Sequence, residues 1–206
     1  MSKITIKDNE AYLRQISKPI IFPDDELIND IKVLEEYFKN GNKTLALAAV
    51  QLGIPKRLIY LRNTNLDIIN RQNNNEETEE DKCYNEERIL INPVIISREG
   101  LTEYWEACAS CLDNMGLVER PYKIVIEYQD INGNKLEETF EGFESTVFSH
   151  ELDHLDGVLH IDKSKEIIVM EPEQRKIFRK THGYNIISTT GNYEKLIKSN
   201  TKNLKK

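Results

Sequence analysis

Nothing in the 206 residues approaches a membrane-spanning apolar run, and the opening MSKITIKDNEAYLRQ lacks the apolar core of a secretory signal. Cysteine is scarce as well. Cys83, Cys108 and Cys111 are too few for a disulfide framework, so a reducing, cytoplasmic compartment is expected, with an organelle left open. There is no surplus of positive charge either. The formal net charge of −7 argues against a general nucleic-acid binder, and neither a specific nucleic acid nor a membrane is expected as a partner. What is present is ordinary for a water-soluble chain: 39% hydrophobic and 31% charged residues, in a length that fits one domain, residues 1–206, with a sizeable core.

The most informative stretch is residues 143–160, FESTVFSHELDHLDGVLH. Within it, His150, Glu151 and His154 form an H-E-x-x-H pattern, whose two imidazoles stand four residues apart on one helical face. One rigid element can thus offer two nitrogens to one divalent metal. Glu151 lies beside that metal position, where an activated water needs a proton acceptor. Gly142 suits the start of the helix, Glu144 complements its positive end, and Gly157 suits its stop. Val147, His150, Glu151 and His154 share one face, while Phe148, Leu152 and Leu155 form an adjoining apolar stripe. The same pattern also occurs as a charged helix without metal, and two ligands do not make a catalytic site. A third must hold the ion while one position stays open.

In chain order, residues 24–40 are expected to be a scaffold helix, with Leu27, Ile28, Ile31, Leu34 and Phe38 at helical spacing. Residues 44–51, TLALAAVQ, read by composition as a tightly packed core segment with Gln51 a bystander. Residues 57–61 read as a strand. Residues 63–88 are polar, Asn-rich and then acidic, which points to a surface insertion that orders poorly. Strands follow at 88–96, with Pro93 near the end, and at 101–105. Residues 117–129 and 135–140 read as two strands joined by a hairpin at Asp130-Ile131-Asn132-Gly133, with Asn-Gly supplying the left-handed positions. Residues 171–181 form a helix opening at Pro172, and the lysine-rich residues 193–206 are expected to be a solvated, frayed tail.

Cys108 and Cys111 make a C-x-x-C pair with no second pair in the chain, so structural zinc, redox chemistry and plain burial all stay open. Cys108 is a candidate for the third ligand because a thiolate suits a borderline or soft metal. His160 and His182 compete for that place.

Together these residues resemble the peptide deformylase family, whose motifs run G-Φ-G-Φ-A-A-x-Q, E-G-C-L-S and Q-H-E-x-D-H in chain order. The matching segments are TLALAAVQ at 44–51, EACAS at 106–110 and SHELDH at 149–154. Asn92-Pro93, Arg120-Pro121, Leu155 and Gly157 add further echoes, so the likeness runs from about residue 18 to residue 162 around the acidic insertion.

The resemblance implies an α+β fold in which mixed and antiparallel β-sheets pack around a central metal-binding helix. It implies one divalent metal held by Cys108, His150 and His154, Fe(II) by family habit, with zinc, nickel or cobalt able to occupy the same site. The implied reaction is hydrolysis of the N-formyl group from formyl-methionyl nascent peptides, releasing formate. Glu151 would move the proton. The Gln51 amide and the backbone N–H of Ala109 would stabilise the oxyanion. Leu45, Ala46, Phe143, Thr146 and Val147 would line the methionine pocket. A ribosome contact through the lysine-rich tail is a further expectation.

Several positions depart from the family pattern. Thr44 and Ala46 replace glycines where substrate backbone approaches closely, Ala107 and Ala109 replace glycine and leucine around Cys108, and Ser149 replaces glutamine. Met115 stands where many members carry an arginine that helps hold the peptide. Metal ligands, general base and oxyanion amide are all kept. Two other readings therefore stay open: a related metallohydrolase with altered acyl or peptide specificity, and a catalytically silent relative that binds metal and peptide.

Overall fold

The computed structural model describes residues 2–39, 44–62, 68–69, 71, 76, 78 and 87–203. Helix α1 (Ile6–Leu13) starts at a capping box in which Thr5 and Asp8 satisfy each other's backbone N–H groups. Helix α2 (Leu27–Lys39) buries Leu27, Ile31, Leu34 and Phe38 at the expected spacing, joined by Tyr37. Ile28 departs from expectation and is half exposed, because it sits to the side of that stripe. After α2 come the short strand β1 (Ala46–Ala48), a 3₁₀ turn (Ala49–Leu52) and β2 (Leu58–Leu61), all buried as the small apolar run requires.

The spine of the sheet is β3 (Arg88–Ala107), a single strand of 20 residues where two were expected. It pairs in succession with β2, with β5 (Lys123–Gln129), with β8 (Asn185–Asn192) and with β4 (Asn114–Arg120). Pro93 lies at a bend within the strand. Register shifts fall between Ile91 and Val94 and between Ile95 and Ser97, so the ladder resumes beyond the proline. Asn92 takes a positive φ of 51° at this bend. Its Oδ1 accepts from Ile20 N at 2.8 Å, and its Nδ2 donates to Ile20 O at 2.8 Å and to Gln129 Oε1 at 2.7 Å. The side chain thus holds the N-terminal segment and β5 to the same corner.

The strand expected over 117–129 is split into β4 and β5 at Arg120-Pro121, where proline cannot donate to a ladder. Strand β6 (Lys135–Glu141) completes the predicted hairpin with β5. Its turn uses Gly133 alone in the left-handed region, at φ 82°; Asn132 is not among the positive-φ residues. Gly133 N donates to Asp130 O and Asp130 N to Asn134 O, both at 3.0 Å, so the connection is a three-residue loop rather than the two-residue Asn-Gly turn.

Helix α3 (Phe143–Leu155) then packs on the sheet, beginning after Gly142 as expected. The single turn α4 (His160–Lys163), β7 (Ile167–Val169) beside β4, helix α5 (Pro172–Thr181), β8 and helix α6 (Tyr193–Asn203) follow. Every ladder among the described residues is antiparallel, and a parallel pairing occurs only at the isolated Lys18–Lys56 bridge. The frayed tail is a correction. Residues Tyr193–Asn203 are helical, Tyr193 Oη donates to Glu119 O at 3.3 Å, and Asn200 bonds the Glu119 carboxylate. The acidic insertion expected at 63–88 lies largely outside the described residues, as does Cys83; of those described, Ile68 is buried.

One apolar cluster packs α2 against β1, β2 and β3 through Leu34, Phe38, Leu58, Tyr60 and Ile91. A second packs Phe148, Leu152 and Leu155 of α3 against Ile59, Leu90, Ile124, Ile126 and Phe140. Gly157 ends α3 at φ 71°, and a Cβ there would lie 2.2 Å from the Arg14 carbonyl oxygen. Gly157→Ala should therefore lower stability by about 1–3 kcal/mol for the strained φ alone, read as a drop in the urea midpoint at unchanged m-value.

Candidate metal centre and cleft

Cys108 ends the long strand. The chain leaves β3 at Ala107 and enters a 3₁₀ turn (Ala109–Cys111), with Cys111 N donating to Cys108 O at 2.9 Å. This places the Cys108 thiol over α3, where one potential ligand atom each from Cys108, His150 and His154 lies within 4.8 Å of the others. The Cys108 Sγ to His154 Nε2 distance is 3.3 Å. The competitors stay apart: His182 stacks on Phe178 at the end of α5, and His160 packs its ring beside His150 at 5.6 Å without joining the group.

The electrostatics suit ligation. The hydrogen bond from the Cys111 thiol is the largest influence drawing the Cys108 thiol well below its usual range; burial opposes it, and His154 and His150 add to it. The same bond, with burial, pushes the Cys111 thiol upward. The two thiols are therefore unequal, with Cys111 the hydrogen-bond donor and Cys108 the acceptor. Burial works to lower His150, yet its bonds to Cys108 and Glu106 carry it well above the ordinary imidazole value. His160 moves the other way, to about 4, through burial and the neighbouring His150 charge.

Glu106 is the residue the H-E-x-x-H pattern does not announce. Its Oε2 lies 2.8 Å from His150 Nδ1. Arg120 grips the same carboxylate through Nε at 2.8 Å and Nη2 at 2.9 Å. Burial favours the neutral acid, but Arg120 and then His150 hold Glu106 below the usual carboxylate range. An ionised carboxylate only accepts, so His150 Nδ1 donates and Nε2 is left for the cluster. Arg120 Nη1 also bonds Asp153 on α3, and Lys163 closes on the other oxygen of Asp153. The sequence signal for this network was the pair Glu106 and Arg120 near Cys108, noted as motif echoes without a role.

A cleft of about 430 Å³ opens above the cluster. Cys108, His150 and Glu151 reach its floor, and Leu45, Ala46, Phe143, Thr146, Val147 and Ala109 line it. Thr44 and Ala107 line it too. Met115 does not; it is fully buried on β4. Glu151 Oε2 accepts the Ala48 N–H at 2.8 Å, which fixes the carboxylate. Gln51 is buried next to the cluster rather than a bystander, and its Nε2 donates to Cys108 Sγ at 3.3 Å and to Ser110 Oγ at 3.0 Å. Sequence reasoning missed Tyr104 and Tyr184. Phe143 meets both rings edge-on, at 5.3 and 5.6 Å, so an aromatic trio backs the apolar wall.

A family model described as polypeptide deformylase matches residues 1–169. The chain is 33% identical to peptide deformylase 2 of Clostridium acetobutylicum over 168 residues, 82% of this chain and 98% of that protein. Over 163 residues it is 36% identical to the peptide deformylase of Pelagibacter ubique, covering 78% of this chain and 84% of that one. Among solved structures it is similar to the peptide deformylase of Thermotoga maritima, with TM-score 0.64 and 28% identity, covering 80% of this chain and 97% of the other.

A buried thiol, the buried His154 ring and the partly buried His150 ring fit a divalent metal of borderline or soft character. Cys108→Ser should abolish stoichiometric metal, whereas Cys111→Ser should retain it, as measured by elemental analysis after gel filtration; the reverse pattern would assign the ligand to Cys111. Glu106→Gln should weaken metal affinity by about 10- to 100-fold, because it releases the His150 ring.

Proposed function

The chain belongs to the peptide deformylase family, and from that premise we propose how its residues divide the work of removing the N-formyl group from formyl-methionyl peptides. The observation that carries the assignment is the meeting of Cys108 with His150 and His154 beneath a cleft whose floor Cys108, His150 and Glu151 reach. Cys108, His150 and His154 are the proposed ligands of one metal ion, which when bound supplies Lewis acidity and an acidified water. Fe(II) is the proposed resident ion; the thiol and imidazole donors suit it, and they also admit zinc, nickel or cobalt.

Glu151 is the proposed proton carrier. With Oε2 held by Ala48, Oε1 takes the proton of the attacking water and returns it to the leaving amine. The backbone N–H of Ala109, on the exposed lip of the cleft, and the Gln51 amide are proposed to face the developing oxyanion. For Gln51 this requires one Nε2 proton to turn from Ser110 or Cys108 toward substrate. The formyl group is small, and Ala46 and Thr44 keep the cleft floor narrow beside it. The methionine side chain is assigned to the wall made by Leu45, Phe143, Thr146 and Val147, where its flexible thioether meets an aromatic ring.

Residues 1–206 are proposed to form one deformylase-like domain, a reading supported by the single sheet that joins strands from Ala46 to Asn192. The cytoplasm is the proposed compartment, and no helix among the described residues is long and apolar enough to cross a membrane. A ribosome contact is proposed through the exposed Lys195 and Lys198 of α6, to be checked by salt-dependent co-sedimentation with ribosomes.

The metal-loaded protein should release formate from formyl-Met-Ala-Ser. Glu151→Gln should cut that turnover by about 10²- to 10⁴-fold while keeping one metal per chain, since it removes a base and not a ligand. Undiminished formate release in this variant would end the proton-carrier role.

A further inference from the structure

Charge is distributed unevenly around the cleft. Its acidic lining residues, Glu106 and Glu151, are buried and engaged by Arg120, His150 and Ala48. Its basic lining residues, Lys3, Arg175, Lys176 and Arg179, take no part in the metal cluster. Three of these four lie on α5, beyond residue 169 where the family match ends.

Helix α5 is fastened in place by two of them. Arg175 donates to the carbonyls of Met170 and Leu112, each at 2.7 Å, and reaches Asp113 at 3.3 Å. Arg179 donates twice to the Trp105 carbonyl, at 3.3 and 3.0 Å, and its guanidinium lies 5.2 Å from the centre of the Tyr104 ring. Phe178 packs edge-on against Trp105 at 5.3 Å. The helix is therefore a fixed wall beside the catalytic floor.

The charges on that wall are not all spent. Among the described residues no carboxylate pairs with Arg179 or Lys3, while Lys176 has only an exposed pair with Glu173 one turn away. Such a pair is weak and yields readily to a competing carboxylate. Among the described residues the cleft's uncommitted charges are basic, which favours an anionic ligand. The deformylase reading supplies a substrate whose chain continues beyond its methionine, and α5 lines the cleft it would leave by.

We propose that α5, with Lys3, is a specificity element that favours formyl-methionyl peptides carrying acidic side chains in the first few residues after methionine. This rests on the deformylase reading and adds the substrate class. Lys3, Lys176 and Arg179 are the residues assigned to contact those side chains, Arg179 through a charge-assisted bond. Arg175 positions the helix.

The test compares formate release from formyl-Met-Ala-Glu-Glu, formyl-Met-Ala-Gln-Gln and formyl-Met-Ala-Lys-Lys by the full-length, metal-loaded protein at low and high salt. The acidic peptide should be preferred over the basic one by about 3- to 10-fold in kcat/KM at low salt, expressed in KM, and the preference should shrink as salt rises. In Lys3→Gln/Lys176→Gln the preference should fall by half or more. Arg179→Gln should remove most of what is left. Equal rates on the three peptides, or a preference indifferent to salt and to the two lysines, would overturn the proposal while leaving the deformylase reading intact. Failure to release formate from any of the three would overturn both.

Discussion

The site depends on a guanidinium that has almost no contact with water. Arg120, 3% exposed, stands at the end of β4 and joins Glu106 near the end of β3 to Asp153 in the last turn of α3. Removing such charges from solvent is costly, and a buried ion pair of this kind is weak evidence for stability. What it does supply is position. Arg120 and Lys163 balance Glu106 and Asp153, so the group needs no further counter-charge, and its planar fork admits few arrangements. Glu106 is two residues from Cys108 and is bonded to His150; Asp153 is adjacent to His154. One network therefore fixes the strand that carries the sulfur against the helix that carries the imidazoles.

Helix α3 is the element between two chemistries. Phe148, Leu152 and Leu155 sink into the apolar cluster against Ile124, Ile126 and Phe140, which fixes its rotation about its own axis. Given that rotation, His150, Glu151 and His154 can only face β1 and the turn carrying Cys108. The packing of three hydrophobic residues thus aims three functional ones, and the backbone N–H of Ala48 completes the aim by holding Glu151. Gln51 follows because Ala48 and Gln51 belong to the same buried turn.

Departures from the family pattern fall where the structure can absorb them. Thr44, Ala46 and Ala107 line the cleft, and Met115 is buried on β4. The remaining wall is made by segments that the motifs do not cover. Tyr184 backs Phe143, and α5 is held to the sheet by Arg175 and Arg179. The cleft is accordingly bounded on one side by Phe143, Thr146 and Val147 and on another by basic residues from the C-terminal part of the chain.

What the sequence determined by itself was local. The 3.6-residue period placed His150 and His154 on one face of α3; the apolar stripes predicted α2 and the core side of α3; and glycine chemistry marked both ends of α3. Motif order, through its resemblance to a known family, nominated Cys108 and Gln51 from distant segments. Pairing across the chain was not legible. That 88–96 and 101–105 are one strand depends on residues 97–99 pairing with β5 and on Glu99 and Leu101 pairing with β8, partners far along the chain. The Glu106–Arg120–Asp153 network, the neutral His160, the docking of α6 and the reach of α5 into the cleft likewise arise between elements. Their free energy is set by burial and by partners far along the chain, and no local pattern records either.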